Sequence, residues 1–153
     1  MSTMDQTIME LALQTDHQTL AIWAADCAER VLPYFETVRP DDDRPRRAIA
    51  ALRTWVETGA FRMSEVRGAS LAAHAAARAV EGDNAARSAA RAAGQAMASA
   101  HVRTHSIAAA IYATTAVRDA ADSADAEFAL EKERDWQYQH LQELTQSARV
   151  ERG

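Results

Sequence analysis

Cysteine and lysine are nearly absent from this chain of 153 residues. The single cysteine, Cys27, excludes an intramolecular disulfide. Lys132 is the only lysine, so the positive charge is carried by arginine, which stays charged when it is buried. No run of about 18 to 20 apolar residues could span a bilayer. The N-terminal segment is acidic and lacks the basic start of a secretory signal, so we expect a cytoplasmic protein without membrane contact.

Glycine, proline and aromatic residues are also scarce, with 5 glycines, 3 prolines and 6% aromatics. No long run of β-branched or aromatic residues alternates with a period of two, which argues against a sheet. Alanine, the best helix former, is the main apolar residue. We therefore predict an all-α fold, a compact bundle of five to six helices in a single domain. The net charge of −5 argues against a nucleic-acid partner, because such proteins normally have a basic face.

The chain divides into an N-terminal arm, residues 1–15, and a helical domain, residues 16–150. The arm is expected to cap the core as a turn or short helix. It carries the apolar residues Ile8, Met9, Leu11 and Leu13. Thr15 or Asp16 can cap the first helix of the domain. Pro33 lacks a backbone N–H, so a break or kink is expected there.

Later boundaries follow from caps and glycines. Asp42 or Asp43 is expected to cap a helix that has Pro45 in its first turn, and Gly59 is expected to end it. Beyond two alanine-rich helices, we predict a tight junction near residues 101–106, because an unbroken helix would be nearly 40 residues long. A last amphipathic helix is expected over residues 126–149.

Three histidines occur among very small residues, where a large polar ring is conspicuous. His101 and His105 are four residues apart, which is metal-ligand spacing on a continuous helix. His74 could supply a third nitrogen and Asp26 a carboxylate for zinc. The glutamate of a zinc-protease motif is missing, and Arg103 lies between the two histidines. The alternative is that these rings cap helices or bond to carboxylates and backbone carbonyls.

A second polar feature lies on one side of a single predicted helix. Arg67, Leu71, His74 and Arg78 are spaced at offsets of four, seven and eleven residues, so they share a face. This line could pair with carboxylates inside the bundle, or it could line a pocket for an anion. The carboxylates considered for such pairing are Asp26, Glu29 and Asp43.

Several ordered phrases together resemble a known family. They are LAIWAADCAERVLPYFE, PDDDRPRRAIAALRTW, AAHAAARAV, AARAAGQAMASAHVRTHSIAAAIYA and ERDWQ. This run, from about Leu20 to Gln137, resembles the Imm-5-like family of alanine-rich helical bacterial immunity proteins. The resemblance implies a link to toxin systems, and it brings no catalytic set of residues.

Two functions are compatible with these features. In the first, the chain neutralises a protein toxin by direct contact, without a cofactor, because an acidic surface suits a basic partner. The candidate contact residues are Glu36, Asp41, Asp42, Asp119, Asp122, Asp125 and Glu127. This hypothesis predicts a broad surface without a deep cavity, and the small-residue helix faces are compatible with a homodimer.

In the second, a polar pocket inside the bundle binds a small molecule, or uses histidines or zinc for catalysis. The residues expected to line it are Trp23, Asp26, Arg30, His74, Arg78, Gln95, His101, His105 and Tyr112. The metal ligands would be His74, His101 and His105. The sequence favours binding over catalysis but does not decide whether the chain is an enzyme.

Overall fold

Seven helices and no strands make up residues 2–152, the part of the chain that the computed structural model describes. The helices are α1 (Thr3–Leu13), α2 (His17–Val38), α3 (Arg44–Thr58), α4 (Met63–Ala79), α5 (Asn84–Ala98), α6 (His105–Ala120) and α7 (Ala126–Arg152). The all-α prediction is confirmed. The number of helices exceeds the predicted five to six, because residues 3–13 of the expected arm form a regular helix.

The first helix is stabilised by a cap at its N-terminus and by packing against α7. The side chain of Ser2 accepts from the backbone N–H of Asp5, and the Asp5 carboxylate accepts from the N–H of Ser2. This capping box satisfies two amides that would otherwise be unpaired. Ile8 and Ala12 are buried, and α1 lies against α7, more than a hundred residues later in the chain.

The centre of the molecule is α5, which packs against α2, α3, α4 and α6. Most of its residues are buried, and most of the buried ones are alanine. Alanine side chains let neighbouring backbones approach closely from several sides. Polar side chains on the adjoining helices therefore pack against the closely packed surface of α5, which leaves them little freedom to rearrange.

The predicted break at Pro33 is wrong, because α2 continues through it to Val38. Pro33 removes one backbone hydrogen bond, the one to the carbonyl of Glu29. Both residues are exposed, so water can satisfy that carbonyl. Leu32 and Phe35 on the opposite side are buried in the core and hold the turns before and after the proline together.

The other boundaries follow local capping chemistry. Asp16 and Asp83 accept backbone N–H bonds at the starts of α2 and α5. Gly59 ends α3 in the left-handed region, with φ of 70°, where glycine is favoured. At the start of α3, Asp43 occupies the cap position but its side chain accepts no capping bond. Instead, the carboxylate of Asp42 accepts a hydrogen bond from the backbone N–H of Arg44 at 3.1 Å.

The junction predicted near residues 101–106 is confirmed. α5 ends at Ala98 and α6 begins at His105. His101 lies in the turn between them and is exposed, whereas His105 is half-buried in the first turn of α6. The two histidines are therefore not on one helix face, and the spacing argument for a metal site does not hold.

Candidate functional site

A cleft of about 310 Å³ lies where α4, α5 and the start of α6 meet. It brings together four of the nine predicted pocket residues: His74, Gln95, His101 and His105. The remaining lining comes mainly from α4 and consists of Met63, Val66, Arg67, Ser70, Leu71 and Ala98. The lining contains one arginine and three imidazoles but no carboxylate.

His74 is held against the backbone of α5 at Gly94. A Cβ atom at Gly94 would lie 2.7 Å from Nε2 of His74 and 2.9 Å from both Cδ2 and Cε1. Only a residue without a side chain admits the ring at this distance. The hydroxyl of Ser70, one turn before His74 on α4, donates to the carbonyl of Gly94 at 2.9 Å and secures the same contact.

The His74 imidazole is kept neutral by its surroundings. Burial lowers its pKa, and the nearby charges of Arg91, Arg78 and His105 lower it further. Its Nδ1 atom is buried and has no hydrogen-bond partner among the described residues. An unsatisfied buried polar atom costs on the order of 1–3 kcal/mol.

The two other histidines of the cleft have different partners. Nδ1 of His105 donates to Oε1 of Gln95 at 2.7 Å. Because that oxygen can only accept, a neutral His105 carries its proton on Nδ1 and keeps a lone pair on Nε2. His101 stacks on Phe61 from the α3–α4 loop, with ring centres 5.9 Å apart.

The arrangement does not favour the zinc hypothesis. Across the described residues, no three His, Cys, Asp or Glu side chains converge in a way that could hold a metal ion. The three histidines line one cleft, but they come from three separate segments and one of them is engaged with a glutamine. The cleft has donors and lone pairs for a small ligand instead.

Three of the predicted pocket residues lie elsewhere, between α2 and α7. Trp23 is fully buried and its indole N–H donates to the carbonyl of Gln137 at 2.9 Å. Arg30 binds the buried carboxylate of Glu133 through two bonds of 2.9 and 2.8 Å. The guanidinium of Arg30 also lies 3.8 Å from the ring centre of Trp136.

Asp26 belongs to the same polar cluster. Its carboxylate accepts from Arg53 at 2.9 Å and from Nε2 of His140 at 2.7 Å. These bonds satisfy the charged groups internally, which is typical of a structural network that fixes packing. Burial raises the pKa of the adjacent Cys27 thiol, and Glu133 and Asp26 raise it further, so this cysteine is not an activated nucleophile.

The last two predicted residues flank the cleft without lining it. Arg78 is exposed one turn after His74 on α4. Tyr112 is half-buried on α6 and packs against the core. Sequence reasoning placed Arg67 on a helix face that could line an anion pocket but did not include it among the nine residues of the polar pocket. It missed Phe61 because the stacking depends on a loop distant in sequence.

A family model described as "Imm-5 like putative immunity protein" matches residues 10–144. The chain belongs to this family. The match covers α2 to α6 completely and most of α7, so both the cleft and the α2–α7 cluster lie inside the part of the chain that is typical of Imm-5 like proteins. No curated protein and no solved structure matched the chain. No helix within residues 2–152 combines the length and the apolar character needed to cross a bilayer.

Proposed function

We propose that this chain acts inside the cell that makes it and neutralises a basic protein toxin by direct contact. Membership of the Imm-5 like family supports an immunity role. The surface where α6 meets α7 supports the mode of action. It combines an exposed aromatic ring with carboxylates that have no cationic partner in the part of the chain that the structure describes.

This surface, which we call the acidic junction, comprises residues 122–128. Asp122, Asp125 and Glu127 are exposed and form no ion pair with any described residue. Phe128 is 68% exposed. Aromatic side chains are enriched where protein partners bind, and uncompensated charge of one sign speeds encounter with a partner of the other sign.

Two of the other predicted acidic contacts, Glu36 and Asp42, are less suited to this role. Glu36 is bound by Arg46 through two bonds of 2.7 and 2.6 Å, and those bonds lower the pKa of its carboxyl. Asp42 is bound in the same way by Arg44, at 2.9 and 2.7 Å. A carboxylate already neutralised by a local arginine contributes little to the attraction of a distant cation.

An apolar groove extends the proposed surface along α6. It has a volume of about 360 Å³ and includes Ile107, Ile111 and Leu130 in its walls. Its lining also includes Arg118, which pairs at 3.3 Å with Asp119 near the acidic junction. A partner centred on Phe128 could therefore combine apolar contact with charge attraction, which is the usual composition of a protein interface.

The test uses the products of the genes on either side of this gene, screened for any that stops the growth of a bacterial host. That product is expressed in a bacterial host with the wild-type chain or with Phe128→Ala. Wild type should restore growth, and Phe128→Ala should weaken binding by about 2 kcal/mol or more, as for an interface anchor. Calorimetry or surface plasmon resonance gives the affinity. The proposal fails if no adjacent product is neutralised, or if Phe128→Ala binds like wild type.

A charge-matched pair of triple variants tests the carboxylates. The first is Asp122→Asn, Asp125→Asn and Glu127→Gln, which should lower the association rate and its dependence on salt. The control removes the same charge at exposed, unpaired sites elsewhere: Glu57→Gln, Glu81→Gln and Glu143→Gln. Equal effects of the two triple variants would show that net charge, and not this surface, attracts the partner.

A further inference from the structure

Three arginines at or near the histidine cleft have no carboxylate partner among the described residues. Arg67 lines the cleft, and the charges of Arg78 and Arg91 act on His74 beside it. None of these three arginines forms a hydrogen bond or ion pair with a described side chain. Arginines elsewhere usually do, as Arg30 does with Glu133 and Arg53 with Asp26.

The carboxylates that might have neutralised this group are engaged at other places. Asp26 and Glu29 both bind Arg53 on α3, and Asp43 binds Arg47 one turn later at 3.2 Å. The line from Arg67 to Arg78 could have paired with carboxylates inside the bundle or lined a pocket for an anion. The structure shows no such pairing with these three carboxylates. Arg67 and Arg78 are exposed, so their unpaired guanidinium groups are available to an anion from outside the protein.

The rest of the lining sets the kind of anion. Met63, Val66 and Leu71 form an apolar wall on α4. The volume of about 310 Å³ is at the small end of ligand pockets and fits a molecule of roughly ten heavy atoms. Gln95 and His105 are bonded to each other, which fixes their orientation before a ligand arrives.

We propose that the cleft between α4, α5 and α6 binds a small organic anion, with its carboxylate or phosphate group toward Arg67 and the histidines and its apolar body on the α4 wall. A guanidinium makes strong, forked bonds to either group. The ring of His101 lines the cleft and forms no hydrogen bond with a described residue, so one of its nitrogens can donate to the anion. The absence of a lining carboxylate removes the main source of repulsion. This site is separate from the acidic junction and does not depend on the toxin proposal.

The test titrates the ¹⁵N-labelled protein with benzoate, phenyl phosphate and the neutral analogue benzamide, at constant pH and ionic strength. Benzoate or phenyl phosphate should give saturable amide shifts confined to α4, the end of α5, the 99–104 turn and the start of α6. Tighter binding of one anion identifies the preferred group. Benzamide should bind at least about tenfold more weakly, because it lacks the charge.

Variants separate a specific site from general attraction. Arg67→Gln and Arg91→Gln should each weaken anion binding by about tenfold, whereas Arg149→Gln, which removes an unpaired arginine on α7, should leave it unchanged. Unaltered amide shifts outside the cleft would show that the variants fold. The proposal is overturned if benzamide binds as well as benzoate, if the shifts do not saturate or fall elsewhere, or if Arg149→Gln weakens binding as much as Arg67→Gln.

Discussion

Replacing Gly94 with alanine tests the contact that positions His74. The new methyl carbon would lie 2.7 to 2.9 Å from three atoms of the imidazole ring. Non-bonded heavy atoms favour separations of about 3.5–4.0 Å, so the ring must move by about 1 Å or leave its place. Ser70, which bonds to the Gly94 carbonyl at 2.9 Å, limits how far α4 itself can withdraw.

The size of the effect follows from two opposing terms. Inserting a methyl group into a filled space typically costs about 1–3 kcal/mol. Alanine is about 1 kcal/mol better than glycine inside a helix. Gly94→Ala should therefore lower the free energy of unfolding by about 0–2 kcal/mol in wild type. In a His74→Ala background the clash is absent, and the same change should raise it by about 1 kcal/mol.

A double-mutant cycle measures the difference between the two backgrounds, using urea unfolding followed by far-UV circular dichroism. We expect a coupling free energy of about 1–3 kcal/mol between positions 74 and 94. Gly68→Ala is the matched control, because a Cβ at this exposed helical glycine meets no atom within 4 Å. Its effect should be the same in both backgrounds. A coupling below about 0.5 kcal/mol, the usual scatter of additive pairs, would refute the packing argument.

Two further predictions concern stability. Because the folded state lowers the pKa of His74, the unfolded chain takes up a proton first as the pH falls below about 6.5, so the free energy of unfolding should decrease from pH 7 to 5 by at most about 1.4 kcal/mol per unit. In His74→Gln, the free energy of unfolding should decrease less from pH 7 to 5, as measured by urea titrations at each pH. The same pH dependence in the variant and wild type would contradict this prediction. Arg30→Met leaves the buried carboxylate of Glu133 unpaired and should cost about 2–3 kcal/mol, since the Arg30 side chain is itself 42% exposed. Arg46→Met breaks a surface pair and should cost less than about 1 kcal/mol by the same assay, so equal losses would be evidence against the role of burial.

Much of the helical arrangement could be predicted because the decisive signals are local. Asp16, Asp83 and Gly59 act within one turn of their own positions. Pro33 misled because its local cost is outweighed by core contacts on the other side of α2. For residues 3–13 the sequence left a turn or a short helix open, because the burial of Ile8 that favours the helix depends on α7 at the far end of the chain.

The candidate site shows the same division. His74, Gln95, His101 and His105 stood out as polar residues among alanines, and the structure places all four in one cleft. The separation of this cleft from the cluster around Arg30 was not predictable. It depends on the packing of α7 against α2. That packing brings Glu133 next to Arg30, although the two residues are 103 positions apart in the sequence. No spacing rule reports a contact at that range.

The cleft and the acidic junction lie at opposite ends of α6. His105 begins that helix and Ala120 ends it, so the two surfaces are separated by about 24 Å, the length of 16 helical residues. An ordinary interface covers about 800 Å² on each partner, a disc with a radius of roughly 16 Å. A toxin that binds the acidic junction alone would therefore leave the cleft open, whereas a toxin that also fills the apolar groove would reach Ile107, two residues from His105. In the first case, any influence of one ligand on the other would have to pass through α6 and the alanine-packed α5 beside it.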